Sequence, residues 1–256
     1  MISKSIIKLT KSLAKKKYRL KEKLFLAEGD KIVKEVLSSN YSIAELFATE
    51  KYINENEHLI QKADKITIVG WNEIKKANLL QHPQNSFALC KLPIKEQQFS
   101  SKIDGFSFYF DGIQDPGNLG TIIRTCDWFG VSNVFCSKDT ADVYNPKVIQ
   151  ASMGSFCRVN VTPVALKEFS QKIIETNTVV LGTFLEGKSI YDMEFSIGNT
   201  IVIMGNEGSG IRKEAEKLVD KKILIPSFSK TKGRAESLNV AVSAGIICSE
   251  FKRRKH

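Results

Sequence analysis

Residues 106–125 read FSFYFDGIQDPGNLGTIIRT, which is an apolar strand, a glycine-rich turn and the start of a helix in succession. A strand followed by a glycine-rich turn recurs in residues 200–211, TIVIMGNEGSGI. Strands with so few polar positions are typical of a parallel sheet that is covered on both faces. Such sheets bind their ligands at the carboxyl ends of the strands. We therefore predict a doubly wound α/β domain whose site lies at these turns.

The C-terminal part of the chain continues this alternation. We predict six strands there, namely Phe106–Phe110, Asn133–Cys136, Cys157–Val161, Val179–Gly182, Thr200–Met204 and Lys222–Ile225. The main predicted helices cover Leu119–Phe129, Lys213–Lys217 and Leu238–Lys252. Strands that alternate with helices favour an α/β architecture.

The N-terminal part shows the same rhythm more weakly and predicts a smaller α/β domain. Its predicted strands are Phe25–Ala27, Ile43–Ala48, Ile66–Val69 and Ser86–Cys90, and its predicted helices are Asp30–Ser38 and Asn72–Ala77. The polar segment from Leu92 to Asp104 lacks periodicity and separates the two parts. We place the domains at residues 1–98 and 104–256.

The chain is basic, with 38 Lys and Arg against 28 Asp and Glu, a net charge of +10. Much of the excess lies near the N-terminus, in Lys15, Lys16, Lys17 and Arg19 among others. Such a field attracts polyanions such as RNA, although a solvated surface remains an equal alternative on charge alone. Ile2, Ile6, Leu9 and Leu13 fall on one helical stripe, which predicts a short amphipathic helix that displays lysines.

Cysteine and histidine usage argues against a metal site or a disulfide framework. The five cysteines include no CxxC pair, and the three histidines are scattered. We expect reduced thiols, no metal and a cytoplasmic protein. No apolar run is long enough to span a bilayer, so we expect no membrane partner.

Three segments carry the chemistry when they are taken together. They are DPGNLGTIIRT (residues 115–125), MGNEGSGI (204–211) and the stretch from Ile225-Pro226 to ESLNVAVS (236–243). In order and spacing they resemble the three motifs of the SpoU/TrmH family of SPOUT RNA ribose methyltransferases. Residues 15–29, KKKYRLKEKLFLAEG, resemble more weakly the start of that family's substrate-binding domain.

The resemblance implies a SPOUT domain with a trefoil-knotted parallel sheet, behind a smaller N-terminal α/β substrate-binding domain. It implies a homodimer joined through the C-terminal domain. It also implies transfer of a methyl group from S-adenosyl-L-methionine (SAM) to a ribose 2′-hydroxyl of structured RNA. Ribosomal RNA is favoured over transfer RNA. A non-catalytic RNA-binding or ribosome-assembly protein on the same fold remains the alternative.

The resemblance also implies roles for individual residues. SAM contacts fall on Thr183, Gly205, Ile225 and Leu238, largely through the backbone, and Asn206 either contacts SAM or holds its own loop. The candidate catalytic residues are Asn118, Arg124, Glu207, Ser237 and Asn239.

A guanidinium is almost never deprotonated, so Arg124 is interpreted as a phosphate clamp rather than as a base. Proton acceptance is left open between Ser237, Glu207, phosphate and water. RNA contacts are predicted at Lys15, Lys16, Lys17, Arg19 and Arg124.

For several of these residues a structural role is the alternative. Asn118 and Asn239 are also suited to capping a helix, as is Ser237. Glu207 is suited to the N-terminus of the following helix. Relatives often carry a basic residue where this chain has Gln150.

One further pattern competes with this interpretation. Residues 182–189, GTFLEGKS, match the phosphate-binding pattern GxxxxGK[ST] after a strand. A functional loop of this kind opens a helix, and too few residues separate Ser189 from the strand predicted at Thr200. We therefore reject nucleotide triphosphate binding, and the resemblance to the family instead implies that this loop contacts SAM.

Overall fold

The computed structural model describes residues 1–93, 105–193, 198–231 and 235–254. These residues form two compact units. The first holds residues 1–93 with Asp142–Arg158, and the second holds residues 105–141 with the described residues from Val159 onward. The predicted domain boundary falls mostly on residues 94–104, which lie outside the described residues.

The first unit is a four-stranded sheet with short helices. The strands are β1 (Leu24–Glu28), β2 (Ile43–Ala48), β3 (Ile66–Ile68) and β4 (Ser86–Lys91). The helices are α1 (Lys4–Ser12), α2 (Lys16–Glu22), α3 (Asp30–Leu37), α4 (Glu50–Glu55), α5 (Glu57–Ile60) and α6 (Trp71–Ala77). The strand order is β1-β4-β2-β3, and only β2 and β3 are parallel. The four predicted strands are confirmed, whereas α2, α4 and α5 were not predicted.

The predicted amphipathic helix is confirmed as α1. Ile2 and Leu13 are buried in the core of this unit, and Ile6 and Leu9 pack against that core. The helix packs against α6 and keeps its lysines in solvent. Its stability therefore comes from its apolar stripe, as expected for a helix this short.

The segment Asp142–Arg158 belongs to the first unit although we predicted it in the second domain. It is held there by Arg19, whose Nε and Nη2 donate to Asp142 Oδ2 at 3.1 and 2.5 Å. The remaining nitrogen, Nη1, donates to the carbonyl oxygens of Leu13 and Ala14 at 2.7 and 3.0 Å. Hydrogen bonds between residues so far apart in the sequence cannot be predicted from local sequence periodicity.

This segment contains α8 (Pro146–Ser152) and a 3-10 turn at Ser155–Cys157. Gln150 Nε2 donates to the backbone oxygen of Glu28 at 2.8 Å, so an uncharged residue suits this position. The predicted strand Cys157–Val161 is wrong in its start. The 3-10 turn occupies its first residue, and pairing begins only at Asn160.

The second unit is a six-stranded parallel sheet. Its strands are β5 (Phe106–Asp111), β6 (Asn133–Cys136), β7 (Asn160–Pro163), β8 (Val179–Ser189), β9 (Thr200–Gly205) and β10 (Lys221–Leu224). Its helices are α7 (Pro116–Trp128), α9 (Leu166–Glu175), α10 (Lys213–Glu216) and α11 (Val240–Arg253). The strand order is β10-β8-β9-β5-β6-β7, and every neighbouring pair is parallel.

Helices cover both faces of this sheet. Tyr109 stacks on Phe169 of α9 with ring centroids 4.2 Å apart. Phe106, on the other face of the same strand, stacks on Phe251 of α11 at 4.0 Å. Since every residue of β5 is buried, the apolar strand FSFYF is explained by burial on both faces, as predicted. The doubly wound α/β fold of this part is confirmed.

The loop that matches a phosphate-binding pattern is part of a strand. β8 runs from Val179 to Ser189, and its pairing with β10 shifts between Gly182, opposite Lys222, and Lys188, opposite Ile223. A single 3-10 turn follows β8, at Ile190–Asp192. Among the described residues between β8 and β9 no α-helix follows the strand, whereas a phosphate-binding loop of this kind opens a helix.

No helix among the described residues is both long and apolar enough to cross a bilayer. Within the same residues, no three His, Cys, Asp or Glu side chains are grouped so that they could hold a metal ion. All five cysteines are thiols rather than disulfides.

Candidate active site

The glycine-rich turns meet because their strands are neighbours in the sheet. β5 and β9 pair in parallel, and Asp111 lies opposite Gly205 at the carboxyl end of both strands. After β5, the chain turns into α7, whose N-cap is Asp115. Its Oδ1 accepts a hydrogen bond from the backbone N–H of Asn118 at 2.7 Å. This cap fixes Asn118 in the first turn of α7, next to the loop that follows β9.

A chain of hydrogen bonds joins three of the predicted catalytic residues. Asn118 Nδ2 donates to Glu207 Oε1 at 2.6 Å. Asn239 Nδ2 donates to Asn118 Oδ1 at 2.9 Å. The three residues come from the three separate motifs, with 89 residues between Asn118 and Glu207 and 121 between Asn118 and Asn239. The geometry therefore ties all three motifs together at one point.

Asn239 has the helix-capping role as well. Its Oδ1 accepts from the backbone N–H groups of Ala241 and Val242 at 2.9 and 3.3 Å, and α11 begins at Val240. With Oδ1 used for the cap, Nδ2 is directed at Asn118. Ser237 is exposed and lies before the helix, so it does not cap α11.

Arg124 lies in α7, more than one turn beyond Asn118, and is exposed. Within the described parts of the chain, no hydrogen bond or ion pair engages its guanidinium. It is not bonded to the Asn239–Asn118–Glu207 chain. Its fork of donors is therefore available to a phosphate group.

The loop that carries Glu207 is tightly folded. Asn206 Nδ2 donates to the backbone oxygen of Gly112 at 2.8 Å, and Asn206 Oδ1 accepts from the N–H groups of Gly208 and Ser209. A Cβ on Gly205 would lie 2.1 Å from the carbonyl carbon of Gly210. Only glycine therefore fits at position 205, and Asn206 holds the loop as one of its two predicted roles suggested.

Two of the remaining residues predicted to contact SAM lie in or directly after the neighbouring strands β8 and β10. Thr183 lies in β8 and donates through Oγ1 to the carbonyl oxygen of Ile203 at 3.3 Å. Ile225 directly follows β10 and is half-buried. Leu238, just before α11, is 50% exposed. Thr183 directly follows Gly182, the last residue of β8 that pairs with β9, and Ile225 directly follows β10, so both lie toward the carboxyl ends of these parallel pairings. Leu238 precedes Asn239 in the chain.

The predicted RNA contacts divide into two groups. Lys15, Lys16 and Lys17 are exposed at the start of α2. Arg19 is only 2% exposed, and its guanidinium is bonded to Asp142 and to backbone oxygens. The prediction that Arg19 contacts RNA is therefore wrong, because its guanidinium is buried and already hydrogen-bonded within the first unit.

Sequence reasoning missed two residues beside the site. Arg212 Nε donates to Asp111 Oδ1 at 2.7 Å, its backbone N–H donates to Asp111 Oδ2 at 2.9 Å, and Nη1 donates to Asp139 Oδ2 at 3.2 Å. The hydrogen bond with Asp111 raises the pKa of Arg212. The sequence did carry one signal for Asp111, which is the first charged residue after the apolar predicted strand Phe106–Phe110.

Comparison with known proteins identifies the family. The profile of the SpoU rRNA Methylase family matches residues 105–249, and that of the MRM3-like substrate binding domain matches residues 4–88. The chain is 29% identical over 241 residues to the 23S rRNA (guanosine(2553)-2′-O)-methyltransferase RlmP of Bacillus subtilis, covering 94% of this chain and 93% of that protein. It is 35% identical over 147 residues to the 23S rRNA (guanosine-2′-O-)-methyltransferase RlmB of Neisseria meningitidis, covering 57% of each.

Solved structures agree with this assignment. An RNA methyltransferase of the TrmH family from Porphyromonas gingivalis superposes with a TM-score of 0.87 at 35% identity, covering 99% of both chains. The AdoMet-bound rRNA methyltransferase of Sinorhizobium meliloti superposes with a TM-score of 0.85 at 25% identity, covering 99% of this chain and 97% of that one. The chain therefore belongs to the SpoU/TrmH family of RNA 2′-O-ribose methyltransferases, enzymes that take their methyl group from S-adenosyl-L-methionine.

Proposed function

We propose that this chain transfers a methyl group from SAM to a ribose 2′-hydroxyl of ribosomal RNA. The observation that carries the proposal is the hydrogen-bonded chain Asn239–Asn118–Glu207, with Arg124 on the same helix as Asn118 and without a partner among the described residues. The choice of ribosomal RNA is supported by the names of the relatives in Bacillus subtilis and Neisseria meningitidis.

The residues at the edge of the sheet fit SAM. An adenine ring needs apolar surface, and Leu238 and Val242 are 50% and 52% exposed although both are apolar. Thr183, Gly205 and Ile225 are small or apolar, which suits recognition of the cofactor by backbone N–H and carbonyl groups. These residues and Asn206 would hold the cofactor. When bound, SAM supplies an activated methyl group on a positively charged sulfur.

Arg124 is proposed to hold the phosphate that neighbours the target ribose. Its guanidinium offers a planar fork that matches two phosphate oxygens. Holding the phosphate still aligns the 2′-oxygen, and alignment alone supplies a large part of a rate enhancement.

Glu207 is the proposed proton acceptor for the 2′-hydroxyl. Asn118 engages its Oε1, so the proton would go to Oε2, and the exposed side chain is accessible to RNA. A catalytic hydroxyl needs a neighbouring base that accepts its proton. Ser237 makes no hydrogen bond within the described residues, so no such base is bonded to it there, and we prefer Glu207. Asn118 and Asn239 then position the carboxylate.

The trefoil knot and the homodimer through the C-terminal domain are proposals that rest on the resemblance to the family, and a cytoplasmic location is a proposal that rests on the cysteine usage. Light scattering on the purified protein tests the dimer. A mass of twice the 28.7 kDa chain supports it, and a monomer at micromolar concentration contradicts it.

The function itself is tested by transfer of labelled methyl from SAM to ribosomal RNA and to transfer RNA. Label in alkali-resistant dinucleotides of ribosomal RNA, lost in Arg124→Ala but kept in the control Lys172→Ala, is the expected result. Lys172 forms a 3.0 Å ion pair with Glu175 on α9, a helix without predicted site residues. Label in transfer RNA alone would identify transfer RNA, and not ribosomal RNA, as the substrate. Absence of SAM binding would favour the non-catalytic alternative.

A further inference from the structure

The loop between β9 and α10 is anchored to the turn after β5 at both of its ends. At the start, Asn206 Nδ2 donates to the backbone oxygen of Gly112 at 2.8 Å. At the end, Arg212 donates to Asp111 through its backbone N–H at 2.9 Å and through Nε at 2.7 Å. Glu207 lies between the two anchors, where it accepts the bond from Asn118.

The anchor at Arg212 is strong because its acceptor is buried. Asp111 is 2% exposed, while Arg212 is half-exposed and reaches it from the surface. A carboxylate that is removed from water needs its partners, and Arg212 supplies a backbone and a side-chain donor together. Loss of the guanidinium would leave Asp111 buried with one backbone bond.

The guanidinium of Arg212 is committed to the protein. Nε donates to Asp111, and Nη1 and Nη2 donate to the two oxygens of Asp139 at 3.2 and 3.3 Å. Nη2 also bonds Asp111. This residue therefore differs from Arg124, whose donors are unengaged in the described residues, and it is not suited to clamp a substrate phosphate.

We infer that Asp111 and Arg212 are a positioning pair that sets the loop from Gly205 to Arg212. The pair keeps Glu207 within hydrogen-bonding distance of Asn118 and shapes the backbone at Gly205. The effect of the pair on methyl transfer rests on the proposed function, whereas its effect on the conformation of the loop does not depend on that function. A lysine cannot replace Arg212 fully, because it lacks the planar fork that bonds both carboxylates.

The test uses the full chain with Arg212→Gln, Arg212→Lys and the control Lys172→Ala, which removes an ion pair elsewhere in the second unit. Amide hydrogen exchange in the loop is measured without ligand. SAM affinity is measured by calorimetry, and the rate of methyl transfer is measured well below the melting temperature. Asp111→Asn, which keeps the side-chain shape, replaces Arg212→Gln if the latter does not fold.

We expect Arg212→Gln to speed exchange at Gly208, Ser209 and Gly210, which donate their N–H groups within the loop. SAM affinity and the transfer rate should each fall about tenfold or more, as expected for a lost charged hydrogen bond. Arg212→Lys should lie between the wild type and Arg212→Gln, and Lys172→Ala should match the wild type.

Two results would overturn the inference. One is unchanged exchange in the loop of Arg212→Gln. The other is faster exchange with SAM affinity and transfer rate both unchanged, which would reduce the pair to a stabilising contact. A wild type that binds no SAM and methylates no RNA refutes the proposed function instead, and exchange in the loop still decides whether the pair sets its conformation.

Discussion

The hydrogen bond between Asn118 and Glu207 makes a quantitative prediction for Asn118→Asp. This substitution keeps the shape of the side chain and the acceptor for Asn239, but it replaces the Nδ2 donor that lies 2.6 Å from Glu207 Oε1. An oxygen then faces an oxygen, and two carboxylates face each other. We expect the loop to relax by moving Glu207 away from Asn118.

The size of the effect follows from the energy needed to restore the aligned arrangement. A hydrogen bond to a charged group contributes about 1.5–3 kcal/mol. Repulsion between two carboxylates adds about 1 kcal/mol in a water-like environment, which is appropriate because Glu207 is exposed and Asn118 is only half-buried. Discounted for exposure, the sum is about 2–3 kcal/mol, which lowers the aligned population and kcat by about 30–150-fold.

The assay is single-turnover transfer of labelled methyl at saturating SAM and RNA. Asn177→Asp is the matched control, because it makes the same chemical change in an exposed turn after α9. In the double variant Asn118→Asp with Glu207→Gln, a donor again faces an acceptor. Recovery of wild-type amide hydrogen exchange in the loop without recovery of kcat would then identify Glu207 as the proton acceptor. If Asn118→Asp keeps kcat within threefold of the wild type, the hydrogen-bonded chain does not serve catalysis.

Three further predictions concern single residues. Arg19→Met should cost about 3 kcal/mol in urea unfolding because it leaves Asp142 without its partner, and a cost below about 1 kcal/mol would contradict this. Burial raises the pKa of Glu28 to about 7 from 4.5, so its ionisation destabilises the fold as pH rises from 4.5 through 7. Glu28→Gln should therefore add up to about 3 kcal/mol at pH 8 and nothing at pH 4, and an equal gain at both would refute it. Gly205→Ala should weaken SAM binding at least about tenfold in calorimetry and lower the melting temperature, because its Cβ would lie 2.1 Å from the carbonyl carbon of Gly210 and would force the loop to move. Wild-type affinity would refute this.

Much of the second unit could be predicted because its strands are apolar throughout. β6 was predicted with its observed bounds, and β5 and β9 were each predicted to within one residue. The length of β8 was missed, because residues 183–187 depart from regular pairing with β10 and include exposed positions. Hydrophobic periodicity reflects burial, so it cannot predict the part of a strand that lies outside the core.

The site was predictable at the level of motifs but not of contacts. Asn118, Glu207 and Asn239 were selected from three segments, and the structure brings these three together. The pair Asp111–Arg212 was missed because its members are 101 residues apart and neither stands out in its own segment. Arg19 was misjudged for the same reason, since its partner Asp142 is 123 residues away.

Two arginines, Arg124 and Arg212, lie close to the glycine-rich turns in the sequence, and only Arg124 was predicted to contact RNA. Contacts separate them, because each nitrogen of the Arg212 guanidinium donates to Asp111 or Asp139, while Arg124 is exposed with no partner in the described residues. An arginine that must hold a phosphate cannot also neutralise a buried carboxylate, since the same donors would be needed for both. Loss of Arg124 should therefore weaken RNA binding and reduce its dependence on salt, while loss of Arg212 should leave that dependence unchanged.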